Sequence, residues 1–207
     1  MNANFTSMKL TRDFYTRPDV VTISRELLGK FLVTRIAGQL TSGMIVETEA
    51  YCGRNDKACH ANNGRRTKRT EIMFEGGGKA YVYLCYGIHH LFNVTTNIDG
   101  LADAVLIRAI EPVDGVDLML KRRNKPEVRP DLTSGPGALS QALEITTSHY
   151  GQDLLGDTVW IENRDCDLTE EQIIAGNRIG VDYAGEDAFK PWRFVIKDSP
   201  WMSKPRI

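Results

Sequence analysis

The chain has 207 residues, 42% apolar and 26% charged, with 26 Lys and Arg against 27 Asp and Glu, so its formal charge is −1. Those proportions suit one globular domain, or two small ones, with a full core, and they exclude a disordered or fibrous protein. No stretch approaches the about 20 apolar residues of a membrane span, and residues 1–9 lack the apolar run of a secretory signal. A cytosolic address and reduced thiols are the expectation.

Pro18 stands before Val20, Val21, Ile23, Leu27 and Leu28, and Gly29 follows them. This predicts an amphipathic helix opened by proline and closed by glycine. Phe31–Ile36 reads as a strand and 44–51 as another. In the second, period-two alternation sets Glu47, Glu49 and Tyr51 on one face and Val46, Thr48 and Ala50 on the other. Residues 53–78 are rich in glycine and basic side chains, and predict a long loop with a short helix. Loops of that length in compact domains usually carry function.

Strands follow at 80–85, 92–97 and 104–110, with Tyr86-Gly87 as the turn joining the first two in a hairpin. A helix of mixed polarity is predicted at 113–123. Ser134-Gly135-Pro136 breaks the chain and opens another helix at 137–145, and short strands at 158–162 and 192–196 alternate with Gly/Pro turns. Neither a repeat nor a composition break divides the chain. The fold class is therefore α+β, one mixed domain over 1–207, rich in antiparallel strands.

Charge is unevenly placed: residues 1–129 hold 19 basic and 14 acidic side chains, whereas 130–207 hold 7 and 13. Arg54, Lys57, Arg65, Arg66, Lys68 and Arg69 form one basic cluster, and Lys121, Arg122, Arg123, Lys125 and Arg129 another. Charge alone does not choose between solvated faces and a polyanion surface. The cysteines, Cys52, Cys59, Cys85 and Cys166, contain no Cys-x-x-Cys pair, and only His60 is near two of them. They read as reduced, mostly buried thiols; neither a metal nor a cofactor is expected.

Glu47 and Glu49 beside Tyr51 are placed so that neighbours orient a general base, although on spacing alone a solvent-facing acidic strand is favoured. Tyr86, where the chain must turn, is either a rim residue or a wedge. Asn93, read by itself, is a strand-end turn residue.

The run Ile45-Val46-Glu47-Thr48-Glu49-Ala50-Tyr51, then Asp56-Lys57-Ala58-Cys59-His60, Tyr81-Val82-Tyr83-Leu84-Cys85-Tyr86-Gly87, Asn93 and Val105-Leu106-Ile107-Arg108-Ala109-Ile110-Glu111-Pro112 resembles the alkyladenine (3-methyladenine) DNA glycosylase family. Ser134-Gly135-Pro136, Gln141-Ala142-Leu143, Arg178-Ile179-Gly180-Val181, Lys190-Pro191-Trp192-Arg193-Phe194 and Ser199-Pro200-Trp201 continue the series, so the likeness spans about residues 10–203.

The resemblance implies a curved, mainly antiparallel sheet with flanking helices and a protruding hairpin. It implies a monofunctional glycosylase of base excision repair, monomeric and working on double-stranded DNA, cytoplasmic in a bacterium or nuclear in a eukaryote. Such an enzyme flips a damaged purine from the duplex and hydrolyses its N-glycosidic bond. Substrates are bases such as 3-methyladenine, 7-methylguanine, hypoxanthine and ethenoadenine.

Carried over by position, Glu49 is the general base, while Arg108 and the main-chain carbonyl of Ile179 hold the water and Glu47 is structural. Tyr51 and Tyr83 wall the flipped base, His60 closes the pocket and its backbone N–H, near the Ala58 carbonyl, reads the purine edge, and Asn93 crowds the 2-amino group of guanine. Tyr86 intercalates with Ile88 as a second wedge, and Arg65, Thr67, Lys68 and Arg69 meet phosphates. Ala138 departs from the family, whose members often carry lysine there; residues 121–129 remain a solvated helix end. No lysine stands where a lyase would need one. A non-catalytic DNA binder of the same fold is the rival reading. A carbohydrate hydrolase using Glu47 and Glu49 is rejected, because neighbours on one strand face cannot flank a bond.

Overall fold

The computed structural model describes residues 8–166 and 168–207; residues 1–7, part of the segment on which the absent signal was judged, lie outside the described residues. In chain order the elements are β1 (Met8–Lys9), α1 (Arg12–Tyr15), α2 (Val20–Glu26), β2 (Phe31–Ile36), β3 (Gln39–Tyr51), β4 (Ala80–Cys85), β5 (His89–Thr96), β6 (Asp103–Asp114), α3 (Val116–Arg123), α4 (Pro136–Ala142), β7 (Val159–Asn163), β8 (Ile173–Gly176) and β9 (Arg193–Ile196). The strands form one sheet with order β1-β7-β2-β3-β6-β5-β4, to which β9 and then β8 are joined through β3. Every pairing is antiparallel. The α+β expectation holds.

Strand β3 organises the molecule. Its first half pairs with β2 up to Met44, and beyond that point the same strand pairs with β9 at Glu47, Thr48 and Glu49 while β6 runs alongside. Its second half thus lies inside the sheet. Register shifts on either side of Glu47 mark a bulge, which re-aims side chains where it occurs. The predicted alternation survives with a different consequence: Thr48 bonds Ser24 of α2 on one side, and both carboxylates point the other way into protein. Glu47 and Glu49 are each 0% exposed. The solvent-facing reading of this strand is therefore corrected.

Helix α2 begins two residues later than its proline suggested, at Val20. Asp19 is the N-cap, its carboxylate accepting from the N–H groups of Val21 and Thr22, so Pro18 lies outside the helix. Leu27 and Leu28 are buried beyond its last turn, and Gly29 reverses the chain at φ +78°. Ile23 and Leu27 pack with Leu32, Ile45, Phe92, Val105, Ile107 and Leu139 in the main core. The strand predicted at 92–97 begins earlier, at His89, and that at 104–110 extends to Asp114. Asn93 is consequently mid-strand, not a strand-end turn residue.

The segment 121–129 is not merely a solvated helix end. Arg122 of α3 pairs with Glu144 and donates to the carbonyl of Ala142, Arg123 donates to the carbonyl of Leu132, Lys125 pairs with Asp131, and Arg129 with Glu127. Most of this basic charge is spent locally, tying α3 to α4 and the turn between them. Cys52 and Cys59 are buried, but Cys85 and Cys166 are only partly so, which narrows the expectation of mostly buried thiols.

Candidate active site

A cavity of about 680 Å³ opens between β4, β5 and β6, the 53–78 loop and the turns after Ser134 and Arg178, a size that suits a small organic ligand. Its lining includes Tyr51, Ala58, His60, Arg69, Tyr83, Tyr86, Asn93, Arg108 and Ile179. Residues spread over more than half the chain thus meet at one place. Glu49 approaches the cavity through Tyr51, whose hydroxyl donates to its Oε2 at 2.6 Å.

The carboxylate is clamped on both oxygens. Glu49 Oε1 accepts the main-chain N–H of Ile179 at 2.7 Å and faces Arg108 Nη1 at 3.3 Å. Burial costs a carboxylate its hydration, and a guanidinium plus two donors repays that cost. Burial works against the charge on Arg108, yet Glu49 and Glu47 raise its pKa above the ordinary guanidinium value. Tyr51 is held well above the ordinary phenol value, first by burial and then by the Glu49 charge. It remains a neutral donor. An ionised carboxylate offers about four lone-pair directions, so Glu49 can still accept from a further donor.

Glu47 lies deeper. Its Oε1 accepts from Arg108 Nε at 2.9 Å, Arg193 Nε at 2.8 Å and Ser203 Oγ at 2.8 Å, and its Oε2 from the Ser203 N–H at 2.6 Å. Arg193 also reaches the Ser203 carbonyl at 3.1 Å. The C-terminal segment therefore fastens onto the guanidinium that faces Glu49. Sequence reading gave Arg193 and Ser203 no role, because nothing local announces a partner 146 or 156 residues away.

The aromatic wall is built by alternation along β4. Tyr81 is buried and its hydroxyl lies 2.8 Å from His60 Nδ1, while Tyr83 and the His60 ring meet edge to face with centroids 4.9 Å apart. Burial, helped by the charges of Arg69 and Arg65, pushes the His60 pKa down to about 4, leaving a neutral imidazole. Burial also raises the phenol of Tyr83 above its ordinary range. Asn93 lines the cavity with its Nδ2 committed to the carbonyls of Tyr81 at 3.1 Å and Leu91 at 3.3 Å.

Beneath Tyr51 lies an ion pair that sequence reading also missed. Arg178 grips Asp56 with two bonds of 2.5 and 2.7 Å, and its guanidinium carbon sits 4.9 Å from the Tyr51 ring centroid and 5.2 Å from that of Trp192. Both partners are fully buried. The pair fixes the start of the 53–78 loop and the turn that delivers Ile179. The carbonyl of Ala58 in that loop accepts from the hydroxyl of Tyr183 at 3.1 Å, another residue the sequence did not single out.

At the tip of the β4–β5 hairpin, Tyr86 is 91% and Ile88 71% exposed. Tyr86 adopts φ +50° and Gly87 φ +74°; glycine takes this region freely, whereas tyrosine pays roughly 1 kcal/mol or more for it. Arg65, Thr67, Lys68 and Arg69 are all exposed on the neighbouring loop. Arg54 and Arg66 of the same cluster pair with Asp103 and Glu71, but among the described residues no carboxylate pairs with Arg65, Lys68 or Arg69. Arg69 lies over the Tyr83 ring at 5.6 Å. Ala138 lines the cavity mouth, where it offers no charge. Among the described residues no three His, Cys, Asp or Glu side chains gather to hold a metal ion.

Ring faces and a neutral imidazole line this cavity, and behind Tyr51 stands the clamped carboxylate of Glu49. The family model described as Methylpurine-DNA glycosylase (MPG) matches residues 13–200. Curated relatives named "Putative 3-methyladenine DNA glycosylase" include proteins of Natranaerobius thermophilus, 45% identical over 95% of this chain and 99% of the relative, and of Alkaliphilus oremlandii, 46% identical over 95% and 100%. A third, from Chlamydia felis, is 48% identical over 90% of this chain and 95% of its own. The chain belongs to the methylpurine-DNA glycosylase family, and its activity is of the class that hydrolyses N-glycosyl bonds.

Proposed function

We propose that the protein removes alkylated, deaminated or etheno purines from duplex DNA by flipping the damaged nucleotide into the cavity and hydrolysing its N-glycosidic bond. The observation that carries this reading is Glu49: a fully buried carboxylate, held by Arg108, Tyr51 and the Ile179 N–H, at a cavity walled by aromatic rings. Held there, Glu49 takes a proton from a water attacking C1′ while its charge favours the oxocarbenium-like sugar. The bonding electrons leave with the base, a cationic alkylated base departing neutral and a neutral one such as hypoxanthine taking up a proton, and an abasic site with a C1′ hydroxyl remains. Arg108 and the Ile179 main chain orient the carboxylate and the water it activates.

The rest of the assignment follows from position. Tyr86 and Ile88 enter the duplex and fill the space the nucleotide vacates, Tyr51, Tyr83 and His60 hold the flipped base, Asn93 crowds the 2-amino group of guanine, and Arg65, Thr67, Lys68 and Arg69 anchor the backbone. The test is release of free base from a duplex with one hypoxanthine or from DNA carrying 3-methyladenine. Release by the wild type and not by Glu49→Gln supports the reading, and binding without release by the wild type makes the protein the non-catalytic binder.

A further inference from the structure

One polar group in the pocket wall has no part in the mechanism above. Tyr183 stands in the segment Asp182–Phe189, 68% exposed, with its hydroxyl on the carbonyl of Ala58 at 3.1 Å, and both residues line the cavity. The two ends of this bond differ in freedom. Ala58 is 2% exposed and its N–H donates to Asp56, the residue that Arg178 grips, so its carbonyl is a fixed acceptor. Tyr183 instead faces solvent in a segment with Gly180 before it and Gly185 after it, at φ +74° and +62°, neither with any atom within 4 Å of where a Cβ would stand. Two other pocket phenols are committed, Tyr51 to Glu49 and Tyr81 to His60.

A carbonyl only accepts, whereas a phenol hydroxyl donates one proton and turns about its C–O bond. Purines divide at the same point of chemistry. A 6-amino purine brings a donor, which the Ala58 carbonyl can take, while a 6-oxo purine brings an acceptor and would set oxygen against oxygen. Burial and the nearby Asp56 charge keep the Tyr183 phenol above its ordinary pKa, so the proton is available at neutral pH.

Resting on the glycosylase reading, we propose that the Tyr183 hydroxyl determines which purine edges the pocket accepts, yielding the Ala58 carbonyl to a 6-amino base and turning to donate to the oxygen of a 6-oxo base. The hydroxyl competes with the first class of substrate and assists the second. Removing it therefore moves the two in opposite senses.

Tyr183→Phe keeps the ring and deletes only the hydroxyl. Single-turnover excision is compared between wild type and variant on hypoxanthine, 7-methylguanine and 3-methyladenine. Hypoxanthine and 7-methylguanine are both 6-oxo but differ in charge, which separates an effect at the 6-position from one on the leaving group. The ratio of 6-oxo to 6-amino excision should fall about three- to tenfold, the worth of one hydrogen bond. A uniform loss on all three bases would make Tyr183 a general wall or DNA contact, and unchanged ratios would make the hydroxyl idle; either overturns the proposal. A wild type that releases none of the three overturns the glycosylase reading instead.

Discussion

One guanidinium holds both carboxylates of β3: Arg108 Nε donates to Glu47 at 2.9 Å and its Nη1 faces Glu49 at 3.3 Å. The two glutamates share a partner but not a position. Glu49 reaches the pocket through Tyr51, whereas all the bonds of Glu47 lead to Arg108, Arg193 and Ser203.

Their glutamine variants should therefore fail differently. Glu49→Gln keeps size and most bonds but cannot take a proton, so excision should drop by about 10² or more with lesion-DNA affinity near wild type. Glu47→Gln leaves two buried arginines undercompensated and should cost about 3 kcal/mol or more of stability, with a much smaller loss in the single-turnover rate of the folded fraction. Denaturant unfolding and excision assays separate the two. Equal catalytic loss in both would mean that Glu49 is not the base.

Binding should weaken steeply with salt, with a slope of about −0.9 per neutralised phosphate. Arg65→Ala and Lys68→Ala should each reduce that slope by about one, because neither residue has an acidic partner among those described. Arg129→Ala should leave it alone, since Arg129 is paired with Glu127 on the far basic segment. A salt-independent affinity, or a slope that follows Arg129, would place the DNA elsewhere.

How far the sequence could be read depended on whether a signal was local. Alternation marked β3 and β4, and the Tyr86-Gly87 pair marked the hairpin tip, because strand period and positive φ are properties of neighbouring residues. Strand β1, of 2 residues, was missed since so short a run has no period to detect, and β8, Ile173–Gly176, was missed as well. Burial of the carboxylates was also illegible: it arises from β9 joining β3 beside Glu47 and Glu49, a pairing across about 145 residues. Separations of 122 to 156 residues likewise hid the bonds of Arg193 and Ser203 to Glu47 and the Asp56–Arg178 pair. Glu49, Arg108 and Tyr51 took their assigned roles from family likeness, since spacing alone favoured a solvent-facing strand, and the structure brings the three side chains together.

Tyr86 should matter to holding the flipped state and not to folding. Tyr86→Gly removes the side chain from a left-handed position that glycine tolerates, so thermal stability should not fall. Lesion-DNA retention should weaken, because the gap in the base stack is left unfilled. At saturating enzyme the single-turnover rate should suffer less than the affinity. A rate that collapses while affinity and flipping are unchanged would take the wedge role away from Tyr86.

His60 supplies a pH test with a definite sign. Its ordinary pKa is 6.5, and in the folded protein burial, with Arg69 and Arg65, brings it down to about 4. Above pH 6.5 the ring is neutral in both folded and unfolded chains and its contribution to stability does not vary. Between 6.5 and 4 the unfolded chain binds a proton that the folded one refuses, so stability falls as pH falls, by about 1.4 kcal/mol per pH unit at most. Over the whole window this amounts to roughly 3 kcal/mol. His60→Asn lacks the titration, and its unfolding free energy should decline less steeply than that of the wild type over the same range, with the two curves parallel above pH 7. Ring-proton NMR should place the His60 midpoint near 4. A midpoint near 6.5 with equal slopes in the two proteins would show the imidazole to be open to water, and with it the aromatic wall that makes the pocket fit a neutral base edge.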